Sequence, residues 1–270
     1  MPTLTTDATS IYYEDEGPRE APALVFSHSL FFGHWMFEGQ AAAFASHYRV
    51  IRYDHRGQGR SARHPREELD MDTLADDAAQ LIERLQLGPC MFCGISMGGF
   101  VALRLAARRP ELLSAVVVAG SSGDREQRID EFDPLVARLS EGGVSPVLDA
   151  ISHIMFGDTT LSDPARAGLL DKAQERLEEV GPEIGGPAWQ VVHRRSVLDE
   201  LPSIAVPTLV LAGAEDHAYD VSLSRQIADL VPDATLEVVE GVGHSLALED
   251  PAAINALLAD VLERTAVAAH

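Results

Sequence analysis

Residues 90–99, Cys-Met-Phe-Cys-Gly-Ile-Ser-Met-Gly-Gly, decide the fold of this chain. The segment starts as a short apolar run, typical of a buried strand, and passes at residue 97 into a helical pattern that ends at Pro110. At this junction Gly94, Ser96 and Gly98 form the pattern G-x-S-x-G. A serine in this context occupies a strained turn, and glycines flank it because the two backbones approach too closely for a Cβ. The segment therefore predicts a nucleophilic serine at position 96.

Apolar runs alternate with helical patterns on both sides of this segment, which is typical of a mainly parallel sheet covered by helices on both faces. Besides 90–95, strands are predicted over residues 23–27, 49–53, 113–119, 208–212 and 235–240. Helices are predicted over 72–87 (with Asp72 as N-cap), 97–109, 221–230 and 251–264. We therefore predict an α/β fold with a mostly parallel, eight-stranded sheet.

The alternation stops between residues 124 and 201. There the pattern is mostly helical and is interrupted by Gly-Gly and Gly-Pro pairs. We interpret residues 124–201 as a helical cap inserted into a core that consists of residues 1–123 and 202–270.

Two further residues are predicted to act with the serine, whose hydroxyl is a weak nucleophile until a base removes its proton. His244, in the segment GVGHS, follows the last predicted strand and lies at the same edge of the sheet as Ser96. Asp216, in GAED, follows strand 208–212 and is the predicted acid that orients the imidazole. Asp124, after the preceding strand, remains an alternative for the acid.

Acyl transfer also needs N–H donors for the charge that develops on the carbonyl oxygen. The amide of Met97, at the start of the helix after the serine, is one predicted donor. The amide of Leu30, in the loop after strand 23–27, is the other. His28 precedes it and is either a pocket residue or a residue that fixes the loop by hydrogen bonding.

Four segments, CGISMGG, RYDHRGQGRS, PTLVLAGAED and GVGHS, resemble the α/β-hydrolase superfamily. Within it, SHSLFFGHWMFEGQ followed by RVIRYDHRGQGRS resembles the 3-oxoadipate enol-lactonase-like branch, which typically carries an (N/H)-S-L-G loop. The resemblance implies the α/β-hydrolase fold with Ser96, Asp216 and His244 as the catalytic triad in that chain order. It also implies Leu30 and Met97 as the oxyanion hole.

Phe31 stands where that branch has glycine, so we expect a bulkier and more apolar pocket mouth. The pocket is predicted to be enclosed beneath the cap and mainly apolar. A dicarboxylate lactone would require an arginine in it, with Arg194 or Arg195 as the candidates. The predicted pocket residues are His28, Phe31, Phe32 and Phe100.

The leading function is hydrolysis of a carboxylic ester or lactone through an acyl-enzyme. The same triad would also serve carbon–carbon bond hydrolysis or perhydrolysis, and some small-molecule receptors keep this fold with slow turnover. The chain contains no H-E-x-x-H, and no G-x-G-x-x-G follows its first strand, so we expect no cofactor and no metal. The expected partner is a small-molecule substrate.

Composition limits the other partners. The 270-residue chain has a formal net charge of −21 and a single lysine, Lys172. This disfavours nucleic acid and anionic membranes and leaves a homo-oligomer open. The first residues lack the basic and apolar regions of a signal peptide, so we expect a cytoplasmic protein. Cys90 and Cys93 are three apart on a predicted strand, so their thiols should point to opposite faces and form no pair.

Overall fold

The sheet is built around the strand that precedes Ser96. The computed structural model of the chain describes residues 3–6 and 8–268. The strands, in chain order, are β1 (Thr3–Thr5), β2 (Ser10–Glu16), β3 (Ala23–Ser27), β4 (Arg49–Tyr53), β5 (Cys90–Ile95), β6 (Leu113–Ala119), β7 (Thr208–Gly213) and β8 (Ala234–Val239). They form one sheet in the order β1-β2-β4-β3-β5-β6-β7-β8. The β1–β2 and β2–β4 pairs are antiparallel and all the others are parallel, which confirms the predicted sheet.

The central strands are apolar because helices cover the sheet on both faces. Every residue of β3, β4 and β5 is buried. The bounds of β3 to β6 coincide with the predicted runs, whereas β7 ends one residue later and β8 begins and ends one residue earlier. Since β5, β7 and β8 are parallel, their carboxyl ends lie at one edge of the sheet, where Ser96, Asp216 and His244 follow them.

Eleven α-helices are present in the described part of the chain. They are α1 (Glu38–Phe44), α2 (Met71–Arg84), α3 (Met97–Arg108), α4 (Ile129–Gly142), α5 (Leu148–Met155), α6 (Asp158–Ser162), α7 (Ala167–Glu178), α8 (Gly185–Val192), α9 (Val221–Leu230), α10 (Leu246–Glu249) and α11 (Pro251–Ala268). Among the described residues, none of these helices is long and apolar enough to cross a membrane.

The start of α2 corrects one prediction. Its N-cap is Asp70, whose carboxylate accepts hydrogen bonds from the N–H groups of Asp72 and Thr73. The predicted cap, Asp72, lies inside the first turn and instead pairs with the guanidinium groups of Arg104 (2.7 Å) and Arg108 (3.0 Å). Either aspartate could serve as a helix N-cap by sequence alone. Because the arginines of α3 pair with Asp72, Asp70 is the residue that caps the helix.

The cap contains α4 to α8, all of which lie between β6 and β7. Helix α4 packs against α8, and α5 packs against α7. The strand-to-helix alternation of the core resumes at β7. The division of the chain into a core and a cap domain stays a prediction, which this all-helical connection supports.

The carboxylate of Glu249 joins the cap to the core. In the cap it accepts hydrogen bonds from the N–H of Gly157 (2.9 Å) and the hydroxyl of Thr160 (2.6 Å). In the core it accepts from the N–H groups of Gly243 (3.1 Å) and Ser245 (3.0 Å). Glu249 is buried, so one desolvated charge is stabilised by donors from both parts of the molecule.

Both cysteines are buried in β5 and neither forms a disulfide. Burial raises the pKa of the Cys90 and Cys93 thiols to about 12, so both are neutral thiols near pH 7. The prediction that they form no pair is therefore confirmed.

Candidate active site

Ser96 lies on a strained turn at the carboxyl end of β5. Its φ of 54° and ψ of −113° belong to a region that residues with a Cβ rarely adopt. Close packing requires glycine on both sides, because a Cβ on Gly94 would lie 2.0 Å from the carbonyl oxygen of Gly98. A Cβ on Gly98 would lie 2.0 Å from the carbonyl oxygen of Ser27. The local structure is thus the strand-to-helix turn expected for a nucleophilic serine.

His244 and Asp216 form a buried pair. The Nδ1 of His244 lies 2.9 Å and 3.1 Å from the two carboxylate oxygens of Asp216, and both side chains are almost fully inaccessible to solvent. Asp216 also accepts hydrogen bonds from the backbone N–H groups of Ala218 and Tyr219. A carboxylate at Nδ1 favours the proton on that nitrogen, which leaves the lone pair of Nε2 available as a base.

Asp124 makes different contacts. Its carboxylate accepts hydrogen bonds from the N–H of Arg125 (2.8 Å) and the side-chain amide of Gln127 (3.1 Å). Since Asp216 lies against the imidazole of His244 and Asp124 is engaged locally, the geometry favours Asp216 over Asp124 as the orienting acid.

One cavity of about 70 Å³ contains both Ser96 and His244 in its wall. The loop after β3 contributes Leu30 and Phe31. The cap contributes ten apolar side chains from α4, α5 and α8. They are Phe132, Leu135, Val136, Leu139, Ile151, Ile154, Met155, Ala188, Val191 and Val192.

The backbone N–H groups of Leu30 and Met97 are both available for an oxyanion. Met97 is the first residue of α3, where an N–H has no acceptor within its own helix. Leu30 lines the cavity and precedes Phe31, whose φ is 72°. Within the described residues, neither N–H donates a hydrogen bond to the protein. Buried N–H groups are rarely left without an acceptor, so these two are candidate donors to a bound substrate.

Three of the four predicted pocket residues lie outside the cavity wall. Phe31 lines it, but His28, Phe32 and Phe100 do not. The ring of Phe32 packs on Trp35, and Phe100 packs against Tyr219. These predictions differ from the structure because side chains in an irregular loop follow no periodicity, and Phe100 belongs to the buried face of α3.

His28 fixes the loop instead of lining the cavity. Its Nε2 accepts a hydrogen bond from the N–H of His55 (3.0 Å), and its Nδ1 donates to the carbonyl of Ser29 (2.8 Å). Complete burial lowers the pKa of His28, so the ring is neutral and can accept at one nitrogen while donating at the other. Of its two sequence interpretations, the structure supports loop fixing.

Glu126 and Tyr219 also line the cavity, and neither is among the site residues predicted from the sequence. The Tyr219 hydroxyl lies 3.4 Å from a carboxylate oxygen of Glu126, and burial raises the pKa of Tyr219 to about 12, so it stays protonated. Only weak features of the sequence point to these two residues. Tyr219 follows Asp216 by three residues, and Glu126 follows β6 at the same edge of the sheet.

Neither candidate arginine lines the cavity. Arg194 is buried, lies 3.4 Å from the carboxylate of Glu126 and stacks on the ring of Phe100 at 4.2 Å. Arg195 has an 81% exposed side chain that pairs with Asp72 on the surface. Glu126 is therefore the charged residue in a wall that is otherwise apolar or neutral, apart from the ionisable imidazole of His244.

This fold and this edge of the sheet define a hydrolase of the α/β class. A family model described as "Alpha/beta hydrolase family" matches residues 24–257, and the chain belongs to that enzyme family. The 3-oxoadipate enol-lactonase 2 of Acinetobacter baylyi is 31% identical over 265 residues, which cover 97% of this chain and 96% of the relative.

Solved structures agree with this assignment. The enol-lactonase from Burkholderia xenovorans LB400 matches with a TM-score of 0.89 at 25% identity, covering 97% of this chain and all of the other. Est816, an N-acyl homoserine lactone degrading enzyme, matches with a TM-score of 0.82 at 26% identity and covers 96% and 99% of the two chains. The chain is thus a hydrolase related to enzymes that act on lactones.

Proposed function

We propose that this chain hydrolyses a neutral carboxylic ester or lactone through an acyl-enzyme on Ser96. The observation that carries the proposal is the buried pair of His244 and Asp216, whose imidazole lines one cavity together with the strained Ser96. No metal or organic cofactor is needed for this chemistry.

The proposed reaction has two halves. His244 takes the hydroxyl proton of Ser96 through Nε2 while the serine oxygen attacks the carbonyl carbon, and the N–H groups of Leu30 and Met97 stabilise the oxyanion. His244 then protonates the leaving alcohol. In the second half, His244 activates water, which attacks the acyl-enzyme and releases the acid. Asp216 stabilises the imidazolium in both halves.

The wall of the cavity supports a neutral and largely apolar substrate. An anionic dicarboxylate would need a cation beside it, yet Arg194 is engaged with Glu126 and lies outside the wall. The carboxylate of Glu126 already pairs with the guanidinium of Arg194, so a substrate carboxylate would compete with Glu126 for that cation. Accordingly, the enol-lactone substrates named for two of the relatives fit this site less well than a neutral lactone, such as the N-acyl homoserine lactone named for Est816.

The experiment measures kcat/KM on p-nitrophenyl esters and lactones of increasing acyl length, each with a carboxylate-bearing counterpart. We expect steady turnover, with the neutral substrate preferred by about tenfold or more because a buried site discriminates strongly against an unpaired charge. Preference for the carboxylate-bearing series would overturn the neutral-substrate proposal. A single slow turnover would favour a receptor.

The same assay tests the nucleophile. Ser96→Ala should lower kcat by about 10⁴-fold or more because the acyl-enzyme cannot form. The exposed Ser203, whose hydroxyl binds only the carbonyl of Glu200 among the described residues, provides the matched control in Ser203→Ala. Circular dichroism should show the wild-type fold in both variants. Retention of more than about a tenth of the activity in Ser96→Ala would exclude the mechanism.

A further inference from the structure

Two histidines and one aspartate meet where the cap contacts the core. His153 belongs to α5, Asp158 begins α6, and His217 follows Asp216 in the loop after β7. One ligand atom from each residue lies within 4.8 Å of those from the other two. The Nε2 of His217 lies 3.1 Å from a carboxylate oxygen of Asp158, and the two imidazole rings stack with centroids 4.3 Å apart.

We propose that His153, Asp158 and His217 bind a divalent transition-metal ion, with Zn²⁺ as the ion that the donor set fits best. Two imidazole nitrogens and one carboxylate oxygen are typical zinc ligands, at about 2.0–2.2 Å from the ion. Donors at those distances lie about 3–4 Å apart, so small rotations of these accessible side chains complete the site. Water fills the fourth position.

The second imidazole distinguishes this cluster from the ion pairs elsewhere on the surface. His64 pairs with Glu68 (2.8 Å) and His193 with Asp133 (3.5 Å), each with one ring facing one carboxylate. The stacked rings of His153 and His217 bring two imidazole groups to one carboxylate, and imidazole nitrogen is a typical zinc ligand.

The carboxylate of Glu215 joins two of the three segments that carry the ligands. Glu215, two residues before His217, accepts hydrogen bonds from the N–H (2.7 Å) and the hydroxyl (2.6 Å) of Thr159, the residue after Asp158. The core loop and the start of α6 are therefore joined independently of the metal ligands. A site assembled in this way loses little conformational entropy when the ion binds.

None of the three ligands lines the catalytic cavity. The ion would therefore act as a clamp between the cap and the core and would take no part in hydrolysis. Because it would bind the folded arrangement and not the unfolded chain, Zn²⁺ should raise the melting temperature. The site escapes sequence reasoning because its ligands are separated along the chain and converge only through the packing of the cap.

The experiment titrates tag-free, chelator-treated protein with Zn²⁺ alone by calorimetry and follows Co²⁺ by its visible absorption spectrum. We expect one ion per chain and a higher melting temperature with Zn²⁺. His153→Ala and His217→Ala should each weaken Zn²⁺ binding by at least about tenfold, since even outer-shell changes cost that much. His193→Ala is the matched control and should bind as wild type does.

The side chains of His153 and Asp158 are exposed, so their variants should fold. Asp158→Asn keeps the size of the side chain and removes its charge, and it should also weaken binding. Melting temperatures without metal verify that each variant is folded. Absence of saturable binding at one equivalent, or equal binding by wild type and both histidine variants, would overturn the proposal whatever the hydrolytic activity proves to be.

Discussion

Asp216 and Asp124 follow neighbouring strands of the sheet, but their surroundings differ. Asp216 lies against the Nδ1 of His244, whereas Asp124 binds Arg125 and Gln127 beside it. We expect Asp216→Asn to lower kcat/KM by about 10³- to 10⁴-fold, because an amide can no longer stabilise the imidazolium. Asp124→Asn should stay within about twofold of wild type, because the carboxylate of Asp124 contacts Arg125 and Gln127 and not the imidazole. Equal losses in the two variants would contradict the assignment.

Phe31 has a positive φ of 72° and lines the catalytic cavity. It also borders a second, more polar cavity of about 300 Å³ that contains Arg60 and Arg176 in its wall. Phe31→Gly removes the ring between the two spaces and places at this position the residue that tolerates such a φ best. We therefore expect the preference for acyl length to move towards longer chains, with little change on an acetate ester.

The measurement is the ratio of kcat/KM on octanoate and acetate esters. Phe32→Leu is the control, because the ring of Phe32 packs on Trp35 and Phe156 and lies outside the catalytic cavity wall. An unchanged ratio in Phe31→Gly, or an equal shift in Phe32→Leu, would show that Phe31 does not limit chain length.

At the scale of helices and strands, the contact between the cap and the core depends in part on Glu249. Glu249→Ala leaves four buried donors of the cap and core without their acceptor. We expect the free energy of unfolding to fall by about 3 kcal/mol, since buried donors that lose a charged partner are costly. Because two of the donors flank His244, kcat should fall as well. Urea denaturation followed by circular dichroism gives the stability.

Glu237 on β8 provides the control for this change. Its side chain is exposed, so Glu237→Ala should alter stability by no more than about 0.5 kcal/mol. A loss in Glu249→Ala no larger than this would mean that water replaces the carboxylate and that the other contacts, such as those of Thr159 with Glu215, hold the cap.

The sequence predicts the elements of the core better than the details of the site. Strands such as β5 and β6 are recognisable because their runs of apolar residues are buried on both faces. The start of α2 is ambiguous because Asp70 and Asp72 both suit a cap. Ser96, Asp216 and His244 can be selected because each follows a strand at one edge.

Contacts between segments that are far apart in the sequence cannot be predicted from such local patterns. The position of Glu126 beside Tyr219 depends on how α4 begins after β6, and no local pattern records it. The engagement of Arg194 with Glu126 likewise depends on the packing of the cap. Such contacts determine which substrates fit, which explains why the class of chemistry is easier to predict than the substrate.

On the scale of the whole molecule, charge repulsion is the dominant electrostatic feature. Acidic residues number 42 and basic residues 21, so we expect repulsion among carboxylates to outweigh the local ion pairs. We expect the melting temperature to rise by about 3 °C between about 10 mM and 300 mM NaCl, where the screening length falls from about 30 Å to less than 8 Å. Differential scanning calorimetry measures the shift.

A neutral osmolyte at matched osmolality is the control, because it is excluded from the protein surface but does not screen charges. It should raise the melting temperature less than NaCl does. A melting temperature that falls with NaCl would show that the ion pairs, such as those of Asp72 with Arg104 and Arg108, contribute more to stability than the repulsion removes.

The two thiols enclosed in β5 make the chain unusually convenient for site-specific labelling. Since Cys90 and Cys93 are buried and un-ionised, maleimide reagents should react only with a cysteine introduced on the surface. The single lysine, Lys172, is exposed on α7 of the cap and offers an amine for a second dye. One introduced cysteine on the core would thus give a donor–acceptor pair across the cap boundary, and opening of the cap could be timed without removing any native residue.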